Sequence, residues 1–226
     1  MQQIDNPQQN TPKTTDAPFQ ILGIKALAHL LSVLLHPIFI PTYCALFIVW
    51  VLPNVFGYFT SQQAVFVVRT IFLYTLLFPL FIVFLMRALD FIDSYDVTDR
   101  KQRILVFMPM AFLFTWTCTV LYREQLPDIT TKMMYGATIA LFLSMIVNIM
   151  VEKISIHAIG MGGAFAVVLF ASGLSPYNIA WALMLVIFLT GAVGTARLIL
   201  QAHQPREVYN GYMLGFLCMA VSLLVF

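Results

Sequence analysis

The chain of 226 residues is 61% hydrophobic and 10% charged, with 12 Lys and Arg against 10 Asp and Glu and a net charge of +2. A soluble domain carries roughly 25% charged residues to cover its surface, so a water-soluble protein is excluded. The near-balanced, scattered charge also excludes a nucleic-acid binder, which needs a basic face.

Residues 1–20 are polar and rich in Pro, Gln and Thr, so a disordered tail and no cleavable signal peptide are expected there. Uncharged stretches follow at 26–68, 70–86, 104–122, 133–151, 154–196 and 208–226. They approach or exceed the ~20 apolar residues a helix needs to cross a bilayer. They run apolar throughout, whereas the strands of a membrane barrel alternate. The expectation is an all-α polytopic bundle of six or seven spans: 28–52, 64–88, 104–122, 130–151, 155–173, 179–201 and 207–226. The first is the least regular, because His36-Pro37 and Pro41 interrupt it; a broken helix or a re-entrant pair fits those prolines. Pro53-Asn54 with Gly57 and Gly173 with Ser175-Pro176 mark breaks between spans. Trp50, Tyr58 and Trp181 suit the interfacial aromatic belt. Gly160, Gly162 and Gly163 suit close helix packing in lipid. Cys44, Cys118 and Cys218 all fall in apolar runs and read as packing residues. The organisation expected is a tail at 1–20, N-terminal spans over 21–88 and a core over 89–226.

With seven spans, the tail, the 89–103 loop and the 152–157 and 197–207 junctions share one membrane face. Nine Lys and Arg fall on that face and three on the other. Three of the four histidines and most of the acids gather there too.

Two clusters on this face carry chemistry. In the 197–207 junction, Arg197 ends a span, His203 occupies a short turn and Glu207 opens the last helix. A carboxylate on one imidazole nitrogen fixes the tautomer and frees the other nitrogen as a nucleophile, while a guanidinium fork suits phosphate oxygens. In the second cluster, Lys153-Ile154-Ser155-Ile156-His157, a hydroxyl and backbone N–H groups at a helix N-terminus suit an anion, and His157 can act as an acid. Taken singly these residues have plainer explanations. Arg197 can snorkel to the headgroups, His203 can be an ordinary loop residue, and His157 can bond a carbonyl.

Together, the two clusters resemble the second and third signature motifs of the type 2 phosphatidic acid phosphatase superfamily, in its membrane-integral lipid phosphatase branch. The family's P-S-G-H resembles Ile154-Ser155-Ile156-His157. Its S-R-x5-H-x3-D resembles Ala196-Arg197, five residues, His203, three residues, Glu207. The run Val208 to Gly215 resembles the family's V-x-x-G-x-x-x-G continuation. The first motif, K-x6-R-P, is degenerate: Arg103 fits the arginine, Ile104 stands for Pro, Asp96 stands for the lysine, and Lys101 offers charge from another position. The resemblance covers roughly residues 90–226 and implies a pocket between the helices that bear these motifs. His203 would attack phosphorus and become a phosphohistidine, with Glu207 orienting it. Arg197, Arg103, Lys101 and Ser155 would hold the phosphoryl oxygens, and His157 would protonate the leaving alcohol. No metal or other cofactor is implied. The substrate would be a lipid phosphate or an isoprenoid diphosphate, such as phosphatidic acid or undecaprenyl diphosphate.

Two alternatives belong to other classes. A catalytically silent relative would bind a phosphorylated lipid in the same pocket. A metal-dependent prenyl-transfer enzyme would use Asp90, Asp93, Asp96 and Asp99, although it wants a second aspartate-rich loop that this chain lacks; a solvated juxtamembrane loop accounts for them more simply. The location expected is the bacterial inner membrane. The basic excess puts the site on the cytoplasmic side, whereas bacterial members of the family usually carry it outside, as a re-entrant 28–52 segment would also require. Arg69, near a span end, is expected to snorkel. Lys153 is expected to pair with Glu152, and His29 with His36 as a packed polar pair.

Overall fold

A computed structural model describes residues 17–52, 59–93, 100–151 and 153–225, without the side chains of 17–21, Arg100, Lys101 and Arg103. Helix α1 (Ala17–Leu34) is followed by α2 (Ile40–Leu46), which a π-helical turn extends through Val51. Helices α3 (Ser61–Phe72) and α4 (Phe78–Ala88) are joined by a second π-helical turn, Leu73–Leu77, into one 28-residue apolar rod. Five long helices complete the bundle: α5 (Arg100–Arg123), α6 (Asp128–Met150), α7 (Ile156–Leu174), α8 (Ala180–Ile199) and α9 (Pro205–Val225). Six helices are long and apolar enough to cross a membrane. At 1.5 Å per residue the shortest is about 28 Å long, close to the ~30 Å of hydrocarbon.

The expected first span is not one helix. It breaks at 35–39, where His36 Nδ1 accepts the Ile38 N–H and the Tyr43 hydroxyl donates across the bend to the Leu34 carbonyl. Pro37 lacks a donor, and Pro41 is tolerated because it lies in the first turn of α2. Helix α1 includes Ala17 to Gln20 of the expected tail; Asp16 and everything before it lie outside the described residues, as do Pro53, Asn54, Gly57 and Tyr58. Helix α3 starts at Ser61 rather than 64. Thr60 and Gln63 close a reciprocal capping box there, with each side chain accepting the other's backbone N–H. Further along that rod, Pro79 cannot donate to the carbonyl of Thr75, and the π-helical turn absorbs the irregularity.

Helix α7 is the axis of the bundle. Its apolar window is 61% buried, against 28–39% for the other five long helices. It owes this to glycine. A Cβ on Gly162 would meet the Tyr212 carbonyl of α9, and one on Gly215 of α9 would meet the Ile159 carbonyl of α7. On Gly211 it would stand 2.7 Å from the Ser155 carbonyl. The backbones of α7 and α9 therefore touch, the small-residue packing that lipid favours. Gly160 performs the same service toward the bend, packing on Pro37 and Ile40.

Inside the bundle, Thr75, Thr117 and Thr138 donate to carbonyls one turn back, leaving no hydroxyl of theirs unmet in the apolar interior. The three cysteines are buried and free. Outward, Phe81, Phe84, Phe112, Phe188, Trp50 and Trp181 are exposed, as a lipid-facing surface requires. Arg69 is exposed two turns inside α3 with its guanidinium over the Phe66 ring, 5.8 Å from the centroid.

Candidate functional site

The turn between α8 and α9 is built from two caps. Helix α8 ends in a Schellman motif: the Ala202 N–H bonds the Arg197 carbonyl at 3.1 Å and the Gln201 N–H bonds the Leu198 carbonyl at 3.0 Å. Such a stop needs a residue with positive φ just past the helix. Here it is Gln201, at φ 53°, a left-handed conformation that costs a non-glycine residue roughly 1–2 kcal/mol. Three residues later α9 opens with Pro205 in its first turn and Glu207 beside it. The Glu207 carboxylate reaches back to the Gln204 N–H at 3.2 Å, the acidic half of a capping box.

His203 sits between these two caps, and the same carboxylate oxygen, Oε2, lies 2.7 Å from its Nδ1. With the carboxylate accepting, Nδ1 carries the proton and Nε2 presents a lone pair. The pair is sheltered, with side-chain exposures of 7% for His203 and 17% for Glu207. Burial pushes the His203 imidazole below its ordinary value of 6.5. The Glu207 hydrogen bond and charge pull it back up, and the charges of Lys153 and Arg197 push it down again, for a net lowering.

An open depression of about 530 Å³ lies over this turn, lined by Lys153, Leu198, Gln201 to Pro205 and Glu207. Lys153 is exposed and donates from Nζ to the Ala202 carbonyl at 2.9 Å. Its ammonium thereby stands beside the His203 turn; Glu152, the partner expected for it, lies outside the described residues.

The second cluster packs behind the first. The Ser155 N–H donates to the Glu207 carbonyl at 3.2 Å, tying the start of α7 to the start of α9. Ser155 is fully buried, and its hydroxyl caps α7 by accepting the Ala158 N–H at 3.4 Å. His157 is 6% exposed, with Nε2 3.1 Å from the Ser32 carbonyl of α1. A carbonyl only accepts, so Nε2 carries the proton; Nδ1 is buried with no hydrogen-bond partner. The His36 ring meets the His157 ring edge to face, with centroids 4.9 Å apart. Arg197 stands among all three histidines, close enough for its charge to act on His36, His157 and His203.

The structure thus gathers His203, Glu207, Arg197, Ser155 and His157 at one end of the bundle. Only His203 and Glu207 of these line the depression; Ser155 and His157 lie beneath it. The side chains of Lys101 and Arg103 lie outside the described residues, as do Asp96 and Asp99. Asp90 is exposed and pairs with Arg87 at 3.4 Å, and Asp93 is held by Gln102 through both its backbone N–H and its carboxylate. Among the described residues no group of three or more His, Cys, Asp or Glu is placed to hold a metal ion. The pairing expected between His29 and His36 does not form: His29 is exposed on α1, while the proline bend turns His36 onto His157. His36 and Ser32 are the residues that motif spacing could not bring to this end, because their contacts with α7 span 121 and 125 positions of sequence. Compared with known proteins, the chain matches no family model, no curated protein and no solved structure.

Proposed function

We propose that this integral membrane protein is a phosphatase that hydrolyses a lipid phosphate or an isoprenoid diphosphate through a phosphohistidine at His203, without a metal. The observation that carries the proposal is the 2.7 Å contact between His203 Nδ1 and Glu207 Oε2 at the floor of an open depression. The carboxylate leaves Nε2 as the attacking atom and stabilises the positive charge the ring acquires when the P–N bond forms and the P–O bond breaks. Arg197 does not line the depression, but its charge reaches His203 and adds positive potential against the charge spread over the phosphoryl oxygens. His157 would serve as the acid only from its doubly protonated form, giving the Nδ1 proton to the leaving alkoxide while Nε2–H stays on the Ser32 carbonyl. The neutral ring left behind then takes the proton of the water that cleaves the P–N bond. The lipid tail of the substrate stays among the exposed apolar side chains while its phosphate enters at the helix ends.

The test is phosphate release from phosphatidic acid and from undecaprenyl diphosphate by the purified chain with EDTA present. Release that survives EDTA and disappears in His203→Ala supports the proposal, and EDTA-sensitive diphosphate release would move the chemistry to the aspartate loop. The position of His157 favours a second reading, a silent lipid-phosphate binder, since its Nε2 is committed to Ser32 and its ring is buried beneath the depression. Lipid-phosphate binding without release is its signature.

Spans that follow one another along the chain cross the bilayer in alternating directions, an arrangement that would put the ends of α4, α6 and α8 on one face with the starts of α5, α7 and α9. Most of the Lys and Arg lie there, and we place that face in the cytoplasm of a bacterial inner membrane by the positive-inside rule. Labelling of Gln204→Cys by an impermeant thiol reagent in intact cells, with Ser61→Cys protected, would reverse the orientation.

A further inference from the structure

We infer that Lys153 is the cation that holds the phosphoryl group over His203, an inference resting on the phosphatase reading above. A phosphate entering the depression meets Glu207 at its floor and is repelled unless a positive charge stands at the surface. Arg197 does not line the depression, and the side chain there that is always cationic, among the described residues, is Lys153. One N–H of its exposed ammonium is spent on the Ala202 carbonyl at 2.9 Å, directly before His203 in the chain. An ammonium has three N–H donors, so two remain for an anion. After burial, which is the larger cause, the charge of Lys153 also acts to lower the proton affinity of His203.

The position also answers a gap in the sequence. The family resembled here carries a lysine in its first motif, and Asp96 stands in its place in this chain. Lys153 adjoins the second cluster and brings an ammonium to the depression from a different backbone position. The group recognised is a terminal phosphate, whether on a monophosphate or a diphosphate lipid or free in solution, because an ammonium reads charge rather than ester structure.

Phosphatidic acid turnover in detergent micelles and thermal stabilisation by inorganic phosphate are compared for the full chain and for Lys153→Gln, Lys153→Arg and Lys25→Gln. Loss of a hydrogen bond to a charged group is expected to raise KM and the phosphate Kd of Lys153→Gln roughly 10- to 100-fold. The value of kcat should stay within about threefold, as when a contact made equally in ground and transition state is removed. Lys153→Arg should recover most of the binding, and Lys25→Gln, exposed on α1, should match the natural chain. A Lys153→Gln protein with unchanged KM and Kd overturns the inference and leaves the phosphatase reading standing. A Lys153→Arg protein as impaired as Lys153→Gln assigns the loss to a displaced turn and also overturns it. Phosphate stabilisation that depends on Lys153 in a chain releasing no phosphate supports the inference while refuting catalysis. A natural chain that neither releases nor binds phosphate refutes both.

Discussion

Replacing Glu207 by Gln separates the cap from the chemistry. One carboxylate oxygen serves two donors, His203 Nδ1 at 2.7 Å and the Gln204 N–H at 3.2 Å. Gln also suits the third helical position of a capping box, so its carbonyl oxygen can keep the Gln204 N–H, and the stability cost should stay below about 1 kcal/mol. The histidine fares worse. If the amide turns its NH2 toward Nδ1, that nitrogen must accept, the proton moves to Nε2, and the lone pair proposed to attack phosphorus is gone. If the tautomer survives, the ring still acquires positive charge with no carboxylate beside it. Two unit charges about 4 Å apart at an effective dielectric near 20 interact by about 4 kcal/mol, or roughly three orders of magnitude in rate. Phosphate release by Glu207→Gln should therefore fall about 10²- to 10⁴-fold while the melting temperature in detergent barely moves. The residual activity has its own signature. Glu207 raises the proton affinity of His203, so without it the imidazole stays neutral to lower pH and the acid limb of kcat/KM shifts downward. A variant within threefold of the natural rate, or an acid limb shifted upward, refutes the role assigned to the pair.

Four further outcomes follow from the same geometry. In the natural chain, net lowering of the His203 proton affinity puts the acid limb of kcat/KM below the ordinary 6.5; the stability linked to that group is complete above about 6.5 and is lost as pH falls, because the unfolded chain then binds the proton more readily. Rate profiles and melting curves at graded pH read both. Gly215→Ala should lower the melting temperature, since its Cβ would collide with the Ile159 backbone at a cost of about 1–3 kcal/mol or more. Gly191→Ala in α8 meets nothing within 4 Å and should raise stability by up to about 1 kcal/mol. Asp90→Asn loses only the exposed 3.4 Å pairing with Arg87 and should change phosphate release less than twofold, with or without EDTA.

The part of the fold legible in the sequence is the part that one physical quantity controls. Apolar length alone located the six long helices, because lipid imposes both the composition and the minimum span. Boundaries slipped where a local side-chain bond decides them, as at Thr60 and Gln63, a capping box written as T-x-x-Q yet assigned to the preceding loop. At the site, contact between His203 and Glu207 was readable because four positions across a proline-started helix turn leave the carboxylate pointing back at the turn. A carbonyl partner for His157 was readable too, but which carbonyl, and the His36 ring against it, were not. They depend on where α1 and α2 lie against α7, and that is set by Gly160 admitting the Pro37 bend, a complementarity between segments more than 100 residues apart. His36 illustrates the difference. Its seven-residue spacing from His29 predicts a shared helical face, and the rule failed because Pro37 ends the helix before the second histidine can join it. The same bend sets what the buried cluster can do. By turning His36 onto His157 and offering the Ser32 carbonyl to Nε2, it fixes which nitrogen of His157 holds a proton and leaves Nδ1 as the atom that can accept one. The N-terminal segment thereby prescribes which nitrogen of His157 carries the proton.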